Sequence, residues 1–221
     1  MERWLVLMTS GKSMKNRELQ KKILCSLLAA GVMSVCISGG DVLAAAVTEK
    51  IELSGAAAST SYDNLDLQVS DKGSFKGIYT HNGANLDFTG AVTDININTQ
   101  DNVATAVANY GNNGGVMNFD ANKTNIILEH TGAIGQGSRN MGLLVNQGTV
   151  NFNGATSIIL STDNTQTIYG VNVECNTADA AKSIVNFNKD AVIEVKTGDL
   201  ATGIYVSGKP GSVIAAGDSL K

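Results

Sequence analysis

The sequence predicts an all-β protein: a right-handed parallel β-helix (solenoid) of about five coils, preceded by an N-terminal signal helix. Three observations carry that expectation. Phe88, Phe119, Phe152 and Phe187 recur at steps of 31, 33 and 35 residues, and self-similarity on this scale marks a stacked repeat architecture. Period-2 alternation in Asp94-Ile95-Asn96-Ile97-Asn98 and in Ile193-Glu194-Val195-Lys196 reads as strand. Helix signals are nearly absent after the leading segment, and the single proline, Pro210, leaves strand ladders undisturbed. One such repeat cannot bury its own apolar face, whereas stacked repeats make a continuous core.

Residues 1–46 are expected to be a signal peptide with a long basic region. Arg3, Lys12, Lys15, Arg17, Lys21 and Lys22 are followed by an uncharged run, Ile23 to Gly40, and then by the small residues Ala44-Ala45-Ala46. A positive region, an apolar run and small residues before a cleavage point are the marks of a secretory signal. Cleavage is expected after Ala44 or Ala46. Met14 offers a second possible start besides Met1, because Met14-Lys15-Asn16-Arg17 opens a signal of ordinary length. An uncleaved membrane helix is the alternative reading. Gly31, Ser34, Ser38, Gly39 and Gly40 dilute the run against it.

Residues 47–221 read as the β-helical repeats. Val47 to Leu53 alternates and is the first expected strand, and Leu65 to Val69 is the second. Ser54 to Asn64 between them shows little pattern. From Gly77 each unit opens with a small residue and an apolar strand, as in Gly77-Ile78-Tyr79, Ala106-Val107-Ala108, Gly142-Leu143-Leu144, Gly170-Val171-Asn172 and Gly203-Ile204-Tyr205. Turns are expected at Asn82-Gly83, Asn113-Gly114-Gly115, Asn153-Gly154 and Thr197-Gly198-Asp199, where Gly and Asn tolerate positive φ. Asn-Gly also permits two-residue hairpins, but hairpins explain no period of this length. Val103 to Asn109 and Ala178 to Lys182 carry faint helical signals.

Three strands per repeat fit one coil of a three-sided solenoid, rising roughly 4.8 Å per coil to a rod of roughly 24 Å. The Phe residues should stack in one interior column and Ile95, Ile126, Ile159 and Ile193 in another. Asn residues at turns or on outer faces should form hydrogen-bonded ladders.

Charge narrows the partners. The chain carries a net charge of −4, and from Ala45 onward 17 acidic residues face 10 basic ones, a net charge of about −7. That balance argues against nucleic acid, whose phosphates need basic clusters. Of three cysteines, Cys25 and Cys36 lie in the leader, and Cys175 is left with no disulfide or metal partner. It is expected to be a buried small apolar residue or an incidental surface thiol.

No catalytic, cofactor-binding or metal-binding residue is assigned. His81 and His130 lie in different repeats without ligand spacing and read as turn or face residues. Gly111-Asn112-Asn113-Gly114-Gly115 is followed by no Lys-Ser/Thr and reads as a turn rather than a phosphate loop. Asp63, Asp66, Asp71, Asp87 and Asp94 are close in sequence, yet they do not recur at matched positions as a carboxylate site for sugar cleavage needs. Asn122-Lys123-Thr124 matches a glycosylation sequon too short to carry weight. Tyr79, Tyr110, Tyr169 and Tyr205 recur near the starts of coils, and outward-facing they could stack on sugar rings; buried packing is the commoner role.

A signal peptide with a long basic region followed by Cys-poor, Gly/Asn/Thr-rich coils such as VNFNGATSIIL resembles the pertactin-like β-helical passenger of Gram-negative type V autotransporters. The resemblance covers essentially the whole chain. It implies an exported protein at the cell surface, in the outer membrane or secreted, anchored by its own C-terminal barrel if one is encoded downstream. It also implies a non-enzymatic adhesive or surface-contact role toward host glycans or surface proteins. A polysaccharide-binding or polysaccharide-cleaving β-helix is the alternative. Because the chain stops inside a repeat at Lys221 without a barrel, the passenger is expected to be truncated.

Overall fold

The computed structural model describes residues 46–71, 75–100, 103–131, 139–162, 167–175, 182–196, 200–208, 211–215 and 220–221. These residues form a parallel β-solenoid and include no helix. The expected signal segment and most of Ala178 to Lys182 lie outside the described residues.

The first turn of chain holds β1 (Ile51–Ser54), β2 (Ser59–Asp63) and β3 (Asp66–Asp71), and the second β4 (Phe75–His81), β5 (Asn85–Thr89) and β6 (Val92–Thr99). In the next two turns the first two strands run on as one bent strand. These are β7 (Val103–Phe119) before β8 (Lys123–His130), and β9 (Arg139–Phe152) before β10 (Ala155–Thr162). Then follow β11 (Thr167–Cys175), β12 (Ser183–Phe187), β13 (Ala191–Lys196), β14 (Leu200–Gly208) and β15 (Gly211–Ala215).

Every pairing between these strands is parallel, which removes the hairpin alternative. The first face is ordered β1-β4-β7-β9-β11-β14. The second joins β2, β5, the distal halves of β7 and β9, β12 and β15. The third is β3-β6-β8-β10-β13, and its five strands span about four turns.

The Phe column forms as expected. Phe88, Phe119, Phe152 and Phe187 are register partners and fully buried, with ring centroids 4.5, 4.7 and 5.0 Å apart. That spacing is the strand separation itself, so stacking repeats through the backbone also stacks the rings. Tyr62 heads the column, 6.0 Å from Phe88. Its burial raises the phenol pKa above the ordinary value.

The Ile column needs one correction: Ile158, not Ile159, lies in register with Ile95, Ile126 and Ile193. The corner after Phe119 holds three residues, Asp120 to Asn122, and the corner after Phe152 only two, Asn153 and Gly154. A one-residue shift reverses which side of a strand faces inward, so Ile158 is buried and Ile159 points outward.

Several element expectations also change. The first strand is shorter than Val47 to Leu53, and Val47 instead forms an isolated parallel bridge with Leu67 on the third face. The patternless stretch Ser54 to Asn64 contains β2, whose small polar residues pair with β5. Val103 to Asn109 is strand, not helix: Ala104, Ala106 and Val107 join the core, so packing overrides the helix propensity of alanine. The glycine-rich run from Gly111 lies inside β7, where the register shifts between Tyr110 and Gly115 as the strand bends from the first face to the second. Asn109 holds this bend, its side-chain amide donating to Gly115 O at 2.9 Å and its carbonyl accepting from Thr80 Oγ1 at 3.2 Å.

The small residue opening each unit acquires a physical reason. Flanking register partners align Gly77, Ala106, Gly142, Gly170 and Gly203. A Cβ at Gly142 would stand 2.6 Å from Ile158 Cγ2 and 2.7 Å from Gly170 O. At Gly77, Gly142 and Gly170 the first and third faces meet too closely for a side chain, whereas a Cβ at Gly203 would meet nothing within 4 Å.

Candidate functional site

Side chains on the outer faces are the ones a partner can reach, and many are occupied by ladders. On the second face Asn118 Nδ2 donates to Asp87 Oδ1 at 2.8 Å, Asn151 to Asn118 at 2.8 Å and Asn186 to Asn151 at 2.7 Å. At the next corner Asn188 donates to Asn153, and Asn153 to Asp120. An amide carries both a donor and an acceptor, so it passes the pattern on from coil to coil. A carboxylate only accepts, so each ladder ends at an aspartate on its N-terminal side.

The acidic candidates are largely used in the same way. Asp87 ends a ladder, and Asp94 accepts from Asn125 Nδ2 at 2.6 Å. Asp63 accepts from Asn64 and Thr89, and Asp66 from Gln68. One expectation is overturned, because Asp66 and Asp94 stand in register on neighbouring strands. Matched carboxylates in adjacent coils were hidden by the uneven repeat length. The side chain of Asp71 is not described. Among the described residues no group of three or more His, Cys, Asp and Glu is placed to hold a metal.

The tyrosines do not form a single column. Tyr79 and Tyr205 share a row on the first face, separated by Ala108, Leu144 and Asn172, while Tyr110 and Tyr169 stand in two other rows. Tyr79 and Tyr169 pack against a small cluster of Ala108, Met141 and Leu144. Tyr169 and Tyr205 are 5.0 Å apart and tilted. Tyr110 and Tyr205 remain exposed, at 41% and 42%.

The densest polar cluster lies where β1 meets β4. His81 and Ser54 are register partners, and Ser54 Oγ is 3.2 Å from His81 Nδ1. Asn82 Nδ2 lies 3.0 Å from the same Nδ1 and 3.3 Å from Ser54 Oγ. Glu52 Oε1 is 3.4 Å from His81 Nε2, within ion-pair reach but not aligned as a hydrogen bond. Lys50 hydrogen-bonds Glu52 and, with lesser help from His81, holds its carboxyl below the usual value. Tyr79 stacks on the imidazole at 4.6 Å. Burial, then the nearby Glu52 and Tyr110, raise the Tyr79 phenol. Sequence reading missed this group because its members are 27 to 29 residues apart in the chain and become neighbours only through strand register.

His130 is buried at the end of β8, between Thr99 and Thr162 in register. Cys175 is buried at the end of β11, which selects the buried role over the surface thiol. Thr124 of the sequon points into the core beside exposed Asn122. Comparison with protein-family models, curated proteins and solved structures finds no match for this chain.

Proposed function

We propose that the chain is the passenger portion of an exported type V autotransporter, displayed at the cell surface, in the outer membrane or released. Its solenoid works by contact with a partner. The observation that carries this reading is the laddered outer surface. Successive coils present the same polar groups at strand spacing, so a rigid, repetitive, acidic face is offered to a partner such as a host glycan or surface protein. Cys175, the one cysteine beyond the expected leader, is buried, which suits passage through an oxidising compartment.

Expression of the full chain in a Gram-negative host tests export and placement together. Exported material should begin at Ala45 or Val47 by amino-terminal sequencing. An intact Met1 or Met14 terminus on a membrane-embedded product contradicts the reading. A carbohydrate-active solenoid is the second reading, favoured by exposed Tyr110 and Tyr205 on the first face. Glycan-array binding without cleavage supports contact. Cleavage of acidic polysaccharide, lost on Asp66→Asn or Asp94→Asn, supports the second reading instead.

A further inference from the structure

We propose that Ser54 is an activated nucleophile, with His81 as its base and Glu52 as the positioning carboxylate, able to accept an acyl group from small activated esters. The proposal goes beyond the contact reading and does not rest on it; its failure leaves that reading intact.

Hydrogen-bond directions support these roles. An amide nitrogen can only donate, so Asn82 Nδ2, 3.0 Å away, makes His81 Nδ1 an acceptor. Ser54 Oγ lies 3.2 Å from the same nitrogen and accepts from Asn82 Nδ2, which leaves its own hydrogen free to turn toward Nδ1. The imidazole hydrogen is left on Nε2, the nitrogen facing Glu52 Oε1 at 3.4 Å. A hydroxyl, a base accepting from it and a carboxylate behind the base are the parts of an activated nucleophile, here with the two ring nitrogens exchanged. Tyr79, stacked on the ring with planes 8° apart, keeps the imidazole from turning away. Asn82 Nδ2 lies 3.3 Å from Ser54 Oγ and fixes the hydroxyl oxygen beside the imidazole. Ser54 itself is exposed on the open first face. An exposed hydroxyl on a sheet face suits small reactive esters, the class that needs least binding surface.

The step balances without a co-reactant other than water. Ser54 gives its proton to His81 Nδ1 as Oγ bonds the acyl carbon, and the ester C–O bond breaks. The imidazolium returns that proton to the departing alkoxide. Water then loses a proton to Nδ1 and attacks the acyl carbon. Ser54 leaves, regains the proton, and a carboxylic acid is released.

The test is labelling of the folded full chain with a fluorophosphonate probe, with the modified peptide mapped by mass spectrometry, alongside p-nitrophenyl acetate turnover. Label should fall on Ser54 and vanish in Ser54→Ala. His81→Gln should slow labelling by about 100-fold or more, the range for loss of a general base. Glu52→Gln should slow Ser54 labelling while leaving the melting temperature unchanged, whereas loss of a merely structural carboxylate would lower the melting temperature and leave labelling of the folded protein in place. Should His81→Gln melt early, Ser54→Cys replaces it: its thiol should alkylate much faster than a free cysteine thiol. Label spread evenly over surface serines, Ser54 labelling unchanged by His81→Gln, or an unaccelerated Ser54→Cys thiol each overturns the proposal.

Discussion

Phe152 is enclosed by its own repeats, with Phe119 and Phe187 on its two faces at 4.7 and 5.0 Å. Phe152→Ala should therefore cost about 3–5 kcal/mol, because rings fixed at strand spacing cannot collapse into the space left. Urea denaturation measures it directly. The corrected column makes a sharper comparison at adjacent positions. Ile158→Ala should cost about 2–5 kcal/mol, and Ile159→Ala much less, because only the first removes a core side chain. Glycines divide in the same way. Gly142→Ala places a Cβ against Ile158 and the Gly170 carbonyl and should destabilise by about 1–3 kcal/mol. Gly203→Ala meets nothing within 4 Å and should leave the melting temperature nearly unchanged. The glycine positions were legible in the sequence as unit openers. The third-face contact that demands glycine at positions 77, 142 and 170 was not.

At the scale of the element, strand alternation was readable wherever apolar and polar residues take turns, and β6 and β13 fall where it placed them. It failed for β2, Ser59–Asp63, where Ser59, Thr60 and Ser61 supply no apolar beat and the strand rests on pairing with β5 and on Tyr62 stacking over Phe88. It failed again at Val103 to Asn109, where alanine's preference for helix gives way to stacking. The ladders are element-scale devices with a direction, which a single substitution can expose. Asn151→Asp keeps an acceptor for Asn186 but loses the donor to Asn118 and sets a carboxylate against its carbonyl oxygen. The charged form is penalised, so the new carboxyl's pKa in the folded state lies above its unfolded value. Its cost, about 1–3 kcal/mol, should be small in acid and should grow as pH rises through that folded pKa. Thermal melts across acidic and neutral pH, with the parent protein as reference, check both the size and the sign.

Across the whole molecule, each coil is stabilised by its two neighbours, so stability should fall from the middle toward the ends. β7 and β9 are paired along both edges on two faces. β14 has Tyr205 and Val206 more than two-fifths exposed, although Val206 belongs to an inward row. Hydrogen exchange read by mass spectrometry should therefore show amides of β9 exchanging slowest and those of β1 and β14 fastest. Uniform protection along the rod would mean the coils unfold as one unit.

The sequence by itself determined the architecture: a repeat near 31 to 35 residues, strands separated by Gly and Asn, and one apolar beat per strand leave few folds other than a parallel solenoid. It also identified the Phe column, because each ring keeps a constant distance from its own turn. Tertiary structure alone decided what depends on register. Corner lengths of three residues and of two put Ile158 rather than Ile159 inside. Strand pairing brought Asp66 beside Asp94, and Ser54 and Glu52 to His81, across a full coil of chain. Neighbours in a solenoid are separated by a whole repeat, and a one-residue change in any corner re-aims every side chain that follows until the next corner resets it.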